Sequence, residues 1–264
     1  MSSKKIDFAA QLLEAEQSRT GIEPLTTVNP ELTADEAYYI QLENIKKKLA
    51  EGRKITGKKI GLTSVAVQNM FGVNEPDYGH LLDDMAVENG GTVSCGKLLQ
   101  PKVEGEIAFI LKNDLKGPRV TALDVLQATD YIVPALEIVD SRIKNWQIKL
   151  PDTVADNASS GMYVLGGKPV KVEDVNLELL GMVLMKNGEV ANTGVGAAAL
   201  GNPALCVAWL ANRLADYDIS LKAGEVFLSG ALSGMVEAKP GDHFTARFAH
   251  LGEVSVKFSK PKER

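Results

Sequence analysis

The sequence predicts an α+β fold in which a helical N-terminal segment, residues 1–54, precedes a β-rich domain, residues 55–264. Before residue 54, apolar residues recur at the spacing of amphipathic helices. After it, short apolar runs alternate with turn-forming Gly, Pro, Asn and Asp, which is typical of strands. The 264 residues supply enough material for one large or two modest domains, and they contain no internal repeat.

The composition excludes several classes of protein. Hydrophobic residues make up 45% of the chain and charged residues 24%, as in ordinary globular proteins. A net charge of -5 argues against a nucleic-acid partner, because no basic excess is available to neutralise phosphates. Cys95 and Cys206 lie in no paired motif, and the chain shows neither a signal-peptide pattern nor an apolar run of membrane-spanning length. We therefore expect a cytoplasmic protein without a membrane partner.

The N-terminal segment is expected to contain two longer helices. The first covers residues 6–20, where apolar side chains alternate with acids. Thr33 followed by Glu36 is a capping-box pattern, which predicts that the second helix begins there and runs to about residue 51. Gly52 is suited to the C-terminal cap of this helix.

Further elements are expected along the β-rich domain. Apolar runs predict strands at 100–111 and 131–139, and residues 58–64 are expected to form a strand that ends in a Gly/Ser/Thr turn. The Asn187-Gly188 pair predicts a hairpin, and Asn202 followed by Pro203 predicts the start of a helix. The other expectations are a helix at 65–72, a loop at 75–80, a helix capped by Thr121 and a polar loop at 152–160.

An acid doublet lies in the strand expected at 100–111. Glu104 and Glu106 are two residues apart, and strand side chains alternate between faces, so both carboxylates project from one face. Two readings are open at this point. The strand is either an edge strand with a solvated acidic face, or part of a buried site where the carboxylates have raised pKa values or recruit a cation.

A third acid interrupts the next apolar strand. An ionised Glu137 inside such a strand costs several kcal/mol unless it is compensated. Glu137 can pair with Lys59 or with an arginine. However, three acids on neighbouring strands need more positive charge than one lysine supplies, which favours a divalent cation.

Residues 193–201 are rich in glycine and superficially similar to a phosphate-binding loop. The segment lacks the lysine of a P-loop and the preceding strand of a dinucleotide fingerprint. Close backbone packing is the better explanation of these glycines.

Five segments together resemble the hydratase/decarboxylase branch of the fumarylacetoacetate hydrolase superfamily. The resemblance extends over nearly the whole chain, and the segments occur in the same order as in that family. They are 57–64 (Gly-Lys-Lys-Ile-Gly-Leu-Thr-Ser), 75–79 (Glu-Pro-Asp-Tyr-Gly), 100–109 (Gln-Pro-Lys-Val-Glu-Gly-Glu-Ile-Ala-Phe), 134–142 (Pro-Ala-Leu-Glu-Ile-Val-Asp-Ser-Arg) and 152–158 (Asp-Thr-Val-Ala-Asp-Asn-Ala).

The resemblance implies a fold and a set of site residues. The fold is a mixed β-sheet roll or flattened barrel with helices packed outside. The implied metal ligands, for Mg²⁺ or Mn²⁺, are Glu104, Glu106 and Glu137. Lys59 and Asp77 match the family's active-site lysine and acid, and the implied substrate-binding residues are Asn157, Ser159 and Ser229. A homo-oligomer is also expected.

The resemblance further implies metal-dependent hydration of 2-hydroxypenta-2,4-dienoate to 4-hydroxy-2-oxopentanoate, in aromatic meta-cleavage catabolism. We expect Lys59 to orient the substrate carboxylate or transfer a proton, with a pKa lowered by a neighbouring cation, and Asp77 to help activate water. The alternatives are a 4-oxalocrotonate decarboxylase, a hydratase for a longer 2-oxo-alkenedioate, and a non-enzymatic subunit that associates with the decarboxylase. The longer diacid requires an extra basic group, for which the sequence offers no obvious candidate.

Overall fold

The computed structural model describes residues 7–64, 67–69 and 72–261. The helices in this part of the chain are α1 Phe8–Ser18, α2 Leu25–Val28, α3 Ala34–Ala50, α4 Ala122–Ala128, α5 Leu150–Ala155 and α6 Pro203–Ala215. The strands are β1 Ile55–Gly61, β2 Asp77–Leu82, β3 Ala86–Val87, β4 Thr92–Ser94, β5 Lys102–Leu111, β6 Thr129–Val139, β7 Ser160–Leu165, β8 Gly181–Lys186, β9 Glu189–Val195, β10 Val226–Ala231, β11 Val236–Glu237, β12 His243–Phe248 and β13 Gly252–Ser259.

The predicted helix starts are confirmed by their hydrogen bonds. The Thr33 hydroxyl accepts the backbone N–H of Glu36, and the Glu36 carboxylate accepts the N–H of Thr33, so α3 begins with a complete capping box. The Asn202 side chain accepts the N–H of Ala204 at the start of α6. None of the helices in the described ranges is both long and apolar enough to cross a membrane.

The larger sheet is mixed and curls on itself. Its strand order is β2-β1-β10-β5-β6-β7-β3, and β11 pairs with β5. β1 runs parallel to β10, whereas β5 is antiparallel to both β10 and β6. Across the curl, Tyr163 Oη of β7 lies 3.2 Å from Thr56 Oγ1 of β1. The two sides of the sheet therefore approach each other and enclose one of its faces.

The smaller sheet covers the opposite face of β5 and β6. Its strand order is β4-β13-β12-β8-β9, and β12 and β13 pack against β6. Gly105 of β5 lies against Met182 of β8, so the odd-numbered positions of β5 point towards this second sheet. The even-numbered positions, which carry Glu104 and Glu106, point into the curl. This arrangement agrees with the expected roll with helices outside.

The N-terminal helices belong to the same core as the sheets. Phe8, Leu12 and Tyr38 are buried in the large apolar cluster that also contains strand residues of both sheets. Thr26 is fixed to Asp152, whose carboxylate accepts both the backbone N–H and the hydroxyl of Thr26. The helical segment is thus tied directly to α5, beside the curled sheet.

Two local predictions were wrong. The loop expected at 75–80 is largely strand β2, all of whose residues are buried, because it pairs along the whole of β1. The first half of the polar loop expected at 152–160 belongs to α5, where Val154 and Ala155 are buried and Asp152 accepts the N–H of Lys149. The helix expected at 65–72 lies partly outside the described residues.

The close packing predicted for the glycine-rich segment is confirmed. A Cβ atom on Gly196 would overlap the carbonyl oxygen of Leu177, and one on Gly194 would overlap that of Leu232. These glycines are required by neighbouring backbone.

Candidate metal centre and active-site cavity

Three glutamates meet inside the curl of the larger sheet. Glu104 of β5 lies directly opposite Glu137 of β6, and Glu106 projects from the same face. Each offers a carboxylate oxygen, and these oxygens all lie within 4.8 Å of one another. Glu106 and Glu137 are 0% and 1% exposed, which excludes the reading of a solvated edge strand.

The carboxylates lack sufficient partners within the described part of the protein. Glu106 Oε2 accepts the N–H of Gly230 at 2.8 Å, but its Oε1 has no hydrogen-bond partner there, and neither has either oxygen of Glu137. Lys59 Nζ lies 3.4 Å from Glu137 Oε1 and 3.9 Å from Asp77 Oδ1. The pairing of Glu137 with Lys59 thus exists, yet one ammonium faces four carboxylates.

The electrostatics of the cluster show the same deficit of positive charge. Burial and the Glu137 carboxylate raise the pKa of Glu104 to about 8. Burial, Glu137 and Glu104 raise the pKa of Glu106 well above its ordinary value. Without a cation, the site therefore favours protonation of its glutamates. The unpartnered oxygens and the all-carboxylate donor set fit a hard divalent cation, which would allow the acids to ionise.

Lys59 is buried and strongly held. Its Nζ donates to the carbonyl of Ala158 at 3.0 Å. Burial alone would lower the pKa of Lys59, but the carboxylates of Glu137 and Asp77 outweigh this effect and raise it. The lowered pKa expected from the sequence therefore does not hold for the protein alone, because acids surround this lysine.

Strand order brings Lys59 and Asp77 to the acid cluster. β1 carries Lys59, and β10 lies between β1 and β5. Asp77 begins β2 opposite Gly61, where a Cβ atom would overlap Asp77 Oδ1 and crowd Lys59 Nζ. Glycine at position 61 therefore leaves the space that these two side chains occupy.

The two carboxylate oxygens of Asp77 differ in their hydrogen bonding. Its Oδ2 accepts the hydroxyl hydrogen of Thr153 at 2.6 Å. Its Oδ1 has no hydrogen-bond partner in the described ranges. Thr153, which sequence reasoning did not single out, lines the same cavity as Asp77 and Lys59.

A left-handed turn shapes the wall behind Lys59. Asn157, Ala158 and Ser159 have φ values of 54°, 50° and 52°, a conformation that L-residues seldom adopt in succession. The Asn157 side chain holds this turn, because its Oδ1 accepts the N–H of His80 at 2.7 Å and its Nδ2 donates to the His80 carbonyl at 2.9 Å. The turn presents the Ala158 carbonyl to Lys59.

His80, to which the sequence assigned no role, connects the turn at 157–159 to helix α3. Its Nδ1 lies 2.8 Å from Gln41 Oε1, and its ring stacks on Tyr38. Burial, with a contribution from the charge of Lys58, lowers the pKa of His80 to about 3. The imidazole is therefore neutral at physiological pH.

The three predicted substrate-binding residues occupy different positions. Ser159 lines the cavity. Asn157 uses its side chain on the main chain of His80, and the buried Ser229 hydroxyl donates to the Ile107 carbonyl at 2.8 Å. Neither of these two belongs to the described lining, and their direct contact with substrate stays a prediction.

The cavity beside the acids has a volume of about 390 Å³. Lys59, Asp77 and Glu104 lie at its charged end, and Lys59 is its only lysine or arginine among the described lining residues. The other walls are largely apolar, formed by Leu62, Val67, Val139, Trp146, Ile148, Leu232 and Met235. The apolar walls suit the tail of a small molecule, whereas an anionic head at the acid end would need a bound cation as its partner.

Known proteins resemble this chain over most of its length. Residues 73–259 match the family described as Fumarylacetoacetate (FAA) hydrolase C-terminal. The chain is 49% identical over 259 residues to the 2-keto-4-pentenoate hydratase of Paraburkholderia xenovorans (strain LB400), covering 98% of this chain and 96% of that protein. It is 41% identical over 257 residues to the 2-oxo-hept-4-ene-1,7-dioate hydratase of Escherichia coli, covering 95% and 96%.

A solved structure shows the same similarity in three dimensions. The 4-oxalocrotonate decarboxylase from Pseudomonas putida G7, complexed with magnesium and adipate, has a TM-score of 0.92 to this chain. The two proteins are 42% identical, and the match covers 95% of each chain.

Proposed function

The chain belongs to the fumarylacetoacetate hydrolase family, and on that premise we propose that it is a hydro-lyase that converts 2-hydroxypenta-2,4-dienoate to 4-hydroxy-2-oxopentanoate in the meta-cleavage of aromatic compounds. The observation that carries this proposal is the three-glutamate cluster, which opens with Lys59 and Asp77 into one small, otherwise apolar cavity. The 49% identity to a named hydratase supports the reaction type.

Glu104, Glu106 and Glu137 would hold Mg²⁺ or Mn²⁺. Their unpartnered oxygens support this assignment, as does the magnesium in the related decarboxylase structure. Such a cation would polarise the carboxylate and 2-oxygen of the substrate and stabilise negative charge on the 2-oxygen. With the dienoate head at the acid end, the short vinyl tail extends along the apolar walls.

The reaction needs two proton transfers to carbon and one addition of water. The proton of the 2-hydroxyl is lost and C5 gains a proton, which gives an α,β-unsaturated ketone. Water then adds its oxygen at C4, and C3 receives a proton. The sum adds one water molecule to the substrate and changes no oxidation state overall.

We assign these transfers to Lys59 and Asp77. The Lys59 ammonium, held by the Ala158 carbonyl, orients the substrate carboxylate and can carry a proton. Asp77 Oδ1 has no hydrogen-bond partner among the described residues, so it can accept a proton from the attacking water, while Thr153 fixes the other oxygen. Lys59 and Asp77 are thus the proposed catalytic pair.

The competing activity is decarboxylation of 4-oxalocrotonate, which the similarity to the magnesium-bound decarboxylase favours. One assay separates the two. Enzymatically generated 2-hydroxypenta-2,4-dienoate and 4-oxalocrotonate are offered separately, each with Mg²⁺ and with Mn²⁺. We expect consumption of the first and formation of 4-hydroxy-2-oxopentanoate. Release of carbon dioxide from the second, without hydration of the first, would overturn the proposal.

We further propose that the enzyme is a cytoplasmic homo-oligomer that can associate with a 4-oxalocrotonate decarboxylase. The two free cysteines support a reducing compartment. Leu179, Val190 and Val195 are exposed on and near the edge strand β9, which supports self-association. Sedimentation velocity of the protein, alone and mixed with the decarboxylase, measures both forms of assembly.

A further inference from the structure

Lys102 lies beside the cavity without lining it. It opens β5 two residues before Glu104, on the same face, and pairs opposite Val139 of β6. Both of these neighbours line the cavity, whereas Lys102 does not. Within the described ranges its ammonium has no carboxylate partner within 4.0 Å. A positive charge that forms no ion pair, and that the carboxylates of Glu104 and Glu237 attract only from a greater distance, therefore lies next to the cavity wall.

Trp146 contacts this charge. Lys102 Nζ lies over the indole, 4.5 Å from the ring centroid, and Trp146 is itself a lining residue. The indole N–H donates to the carbonyl of Gln100 at 3.2 Å. Asn145 and Trp146 both have left-handed backbone, with φ values of 55° and 56°, which the surrounding contacts must hold in place. The indole is thus fixed between Lys102 and the cavity.

No second lysine or arginine among the described lining residues is available for another negative charge. Apart from the acids, the remaining polar side chains there are neutral hydroxyls, those of Thr63, Ser64, Thr153, Ser159 and Ser233. Lys59 is already used by Glu137, Asp77 and the Ala158 carbonyl. The residues between 64 and 72 in the sequence that lie outside the described ranges, 65, 66, 70 and 71, are Val, Ala, Met and Phe, none of them basic. A carboxylate at the tail of a substrate would lose its hydration here without gaining a cationic partner.

We propose that Trp146 is a specificity-determining residue, which restricts the site to 2-hydroxydienoates with an uncharged tail by separating the cavity from the Lys102 ammonium. The inference rests on the proposed function and deepens it. Removal of the indole should allow the site to accept diacids, because Lys102 then faces the cavity and supplies the counter-charge that a diacid needs.

The test compares two substrates in a set of variants. Each protein is assayed with 2-hydroxypenta-2,4-dienoate and with the diacid 2-hydroxyhepta-2,4-diene-1,7-dioate, and the ratio of the two kcat/KM values is recorded. We expect Trp146→Ala to raise the ratio of diacid to monoacid by about tenfold or more. Trp146→Phe keeps an aromatic ring over Lys102 and should leave the ratio within about threefold of the wild type.

Two further variants assign the effect to Lys102. Adding Lys102→Gln to Trp146→Ala should return the ratio to the wild-type value, whereas Lys102→Gln alone should leave the ratio unchanged. Trp146→Leu serves in the same way if the alanine variant does not fold, as judged by circular dichroism. The affinity for adipate, measured by titration in the presence of Mn²⁺, should be higher in the variants whose ratio is raised and unchanged in the variants whose ratio is unchanged.

The outcomes are distinguishable from failure of the proposed function. A wild-type protein that does not hydrate 2-hydroxypenta-2,4-dienoate contradicts the proposed function. An active wild type whose diacid ratio is unchanged by loss of the indole contradicts the role of Trp146. A gain that persists in the double variant shows that space alone, and not Lys102, sets the specificity, which overturns the inference.

Discussion

At the scale of single residues, Glu106 has two contrasting oxygens. One accepts the Gly230 N–H, and the other has no hydrogen-bond partner within the described ranges. Glu106→Gln keeps the shape and removes the charge. We expect the affinity for Mn²⁺, measured by calorimetry, to fall by at least about tenfold, since a ligand carboxylate is lost.

The same variant should not be less stable when metal is absent. Without metal, the buried Glu106 must either take up a proton or remain a poorly compensated carboxylate, and both states cost free energy at neutral pH. Glutamine avoids this cost, so the Tm in EDTA should equal or exceed that of the wild type. Glu253→Gln, at an exposed position of β13, is the matched control and should change neither quantity. An active Glu106→Gln enzyme that works without metal would contradict the assignment of the cluster.

Lys59 and its neighbour Lys58 form a natural pair for comparison. Both are buried, but Lys58 pairs with Glu225 at 2.8 Å, away from the glutamate cluster. Lys59→Met should lower kcat/KM by on the order of 10²–10⁴-fold, because it removes the proposed proton carrier. Lys58→Met should lower it by less than about tenfold. Steady-state kinetics measures kcat/KM of both variants, and equal losses would contradict a catalytic role for Lys59.

At the scale of elements, the left-handed turn at 157–159 depends on one side chain. Asn157→Ala leaves two buried main-chain groups of His80 without partners, which should lower the free energy of unfolding by about 2–4 kcal/mol. The displaced Ala158 carbonyl should also lower kcat/KM. Urea denaturation and kinetics measure the two effects. Asn192→Ala, which removes an exposed hydrogen bond to Gly234, is the control, and a stability loss no larger than that of this control would contradict the anchoring role.

The contact between β2 and α3 should make stability depend on pH through His80. The native pKa is about 3, whereas an unfolded histidine has a pKa of about 6.5. Between these values the unfolded chain binds more protons, so stability is full above pH 6.5 and falls as the pH decreases, by up to about 1.4 kcal/mol per pH unit from this group. Urea unfolding at pH 7, 6 and 5 should show a flatter dependence for His80→Gln than for the wild type. Identical slopes would show that the native imidazole is accessible to protons.

At the scale of the whole molecule, the charged residues of the site lie on four strands of the curled sheet, β1, β2, β5 and β6. Cation binding should therefore stabilise the entire fold. At a free Mn²⁺ concentration of 100 times Kd, the gain should be about 2.7 kcal/mol, and EDTA should abolish both this gain and the activity. Thermal denaturation with and without Mn²⁺ measures it, and Glu106→Gln should show little of the shift. Full activity in EDTA would contradict a metal-dependent enzyme.

The sequence by itself determined the elements whose signals are local. Capping boxes placed the starts of α3 and α4, the Asn187-Gly188 pair placed the β8–β9 hairpin, and side-chain alternation put Glu104 and Glu106 on one face. These features depend on hydrogen bonds and geometry within a few residues, so a short window of sequence contains them. The resemblance of five segments to a known family supplied the roll and, as predictions, the metal and the catalytic pair.

Only the tertiary structure decided which groups meet. Lys59 lies near the glutamates because a single strand, β10, stands between β1 and β5. This strand order is set by burial over the whole chain rather than by any local pattern. The same holds for Asn157, which the family resemblance implies as a substrate ligand and whose side chain the fold engages with the main chain of His80. Trp146 over Lys102 depends on a backbone conformation and on neighbours distant in sequence. Contacts of this kind arise from long-range packing, and no short stretch of residues encodes them.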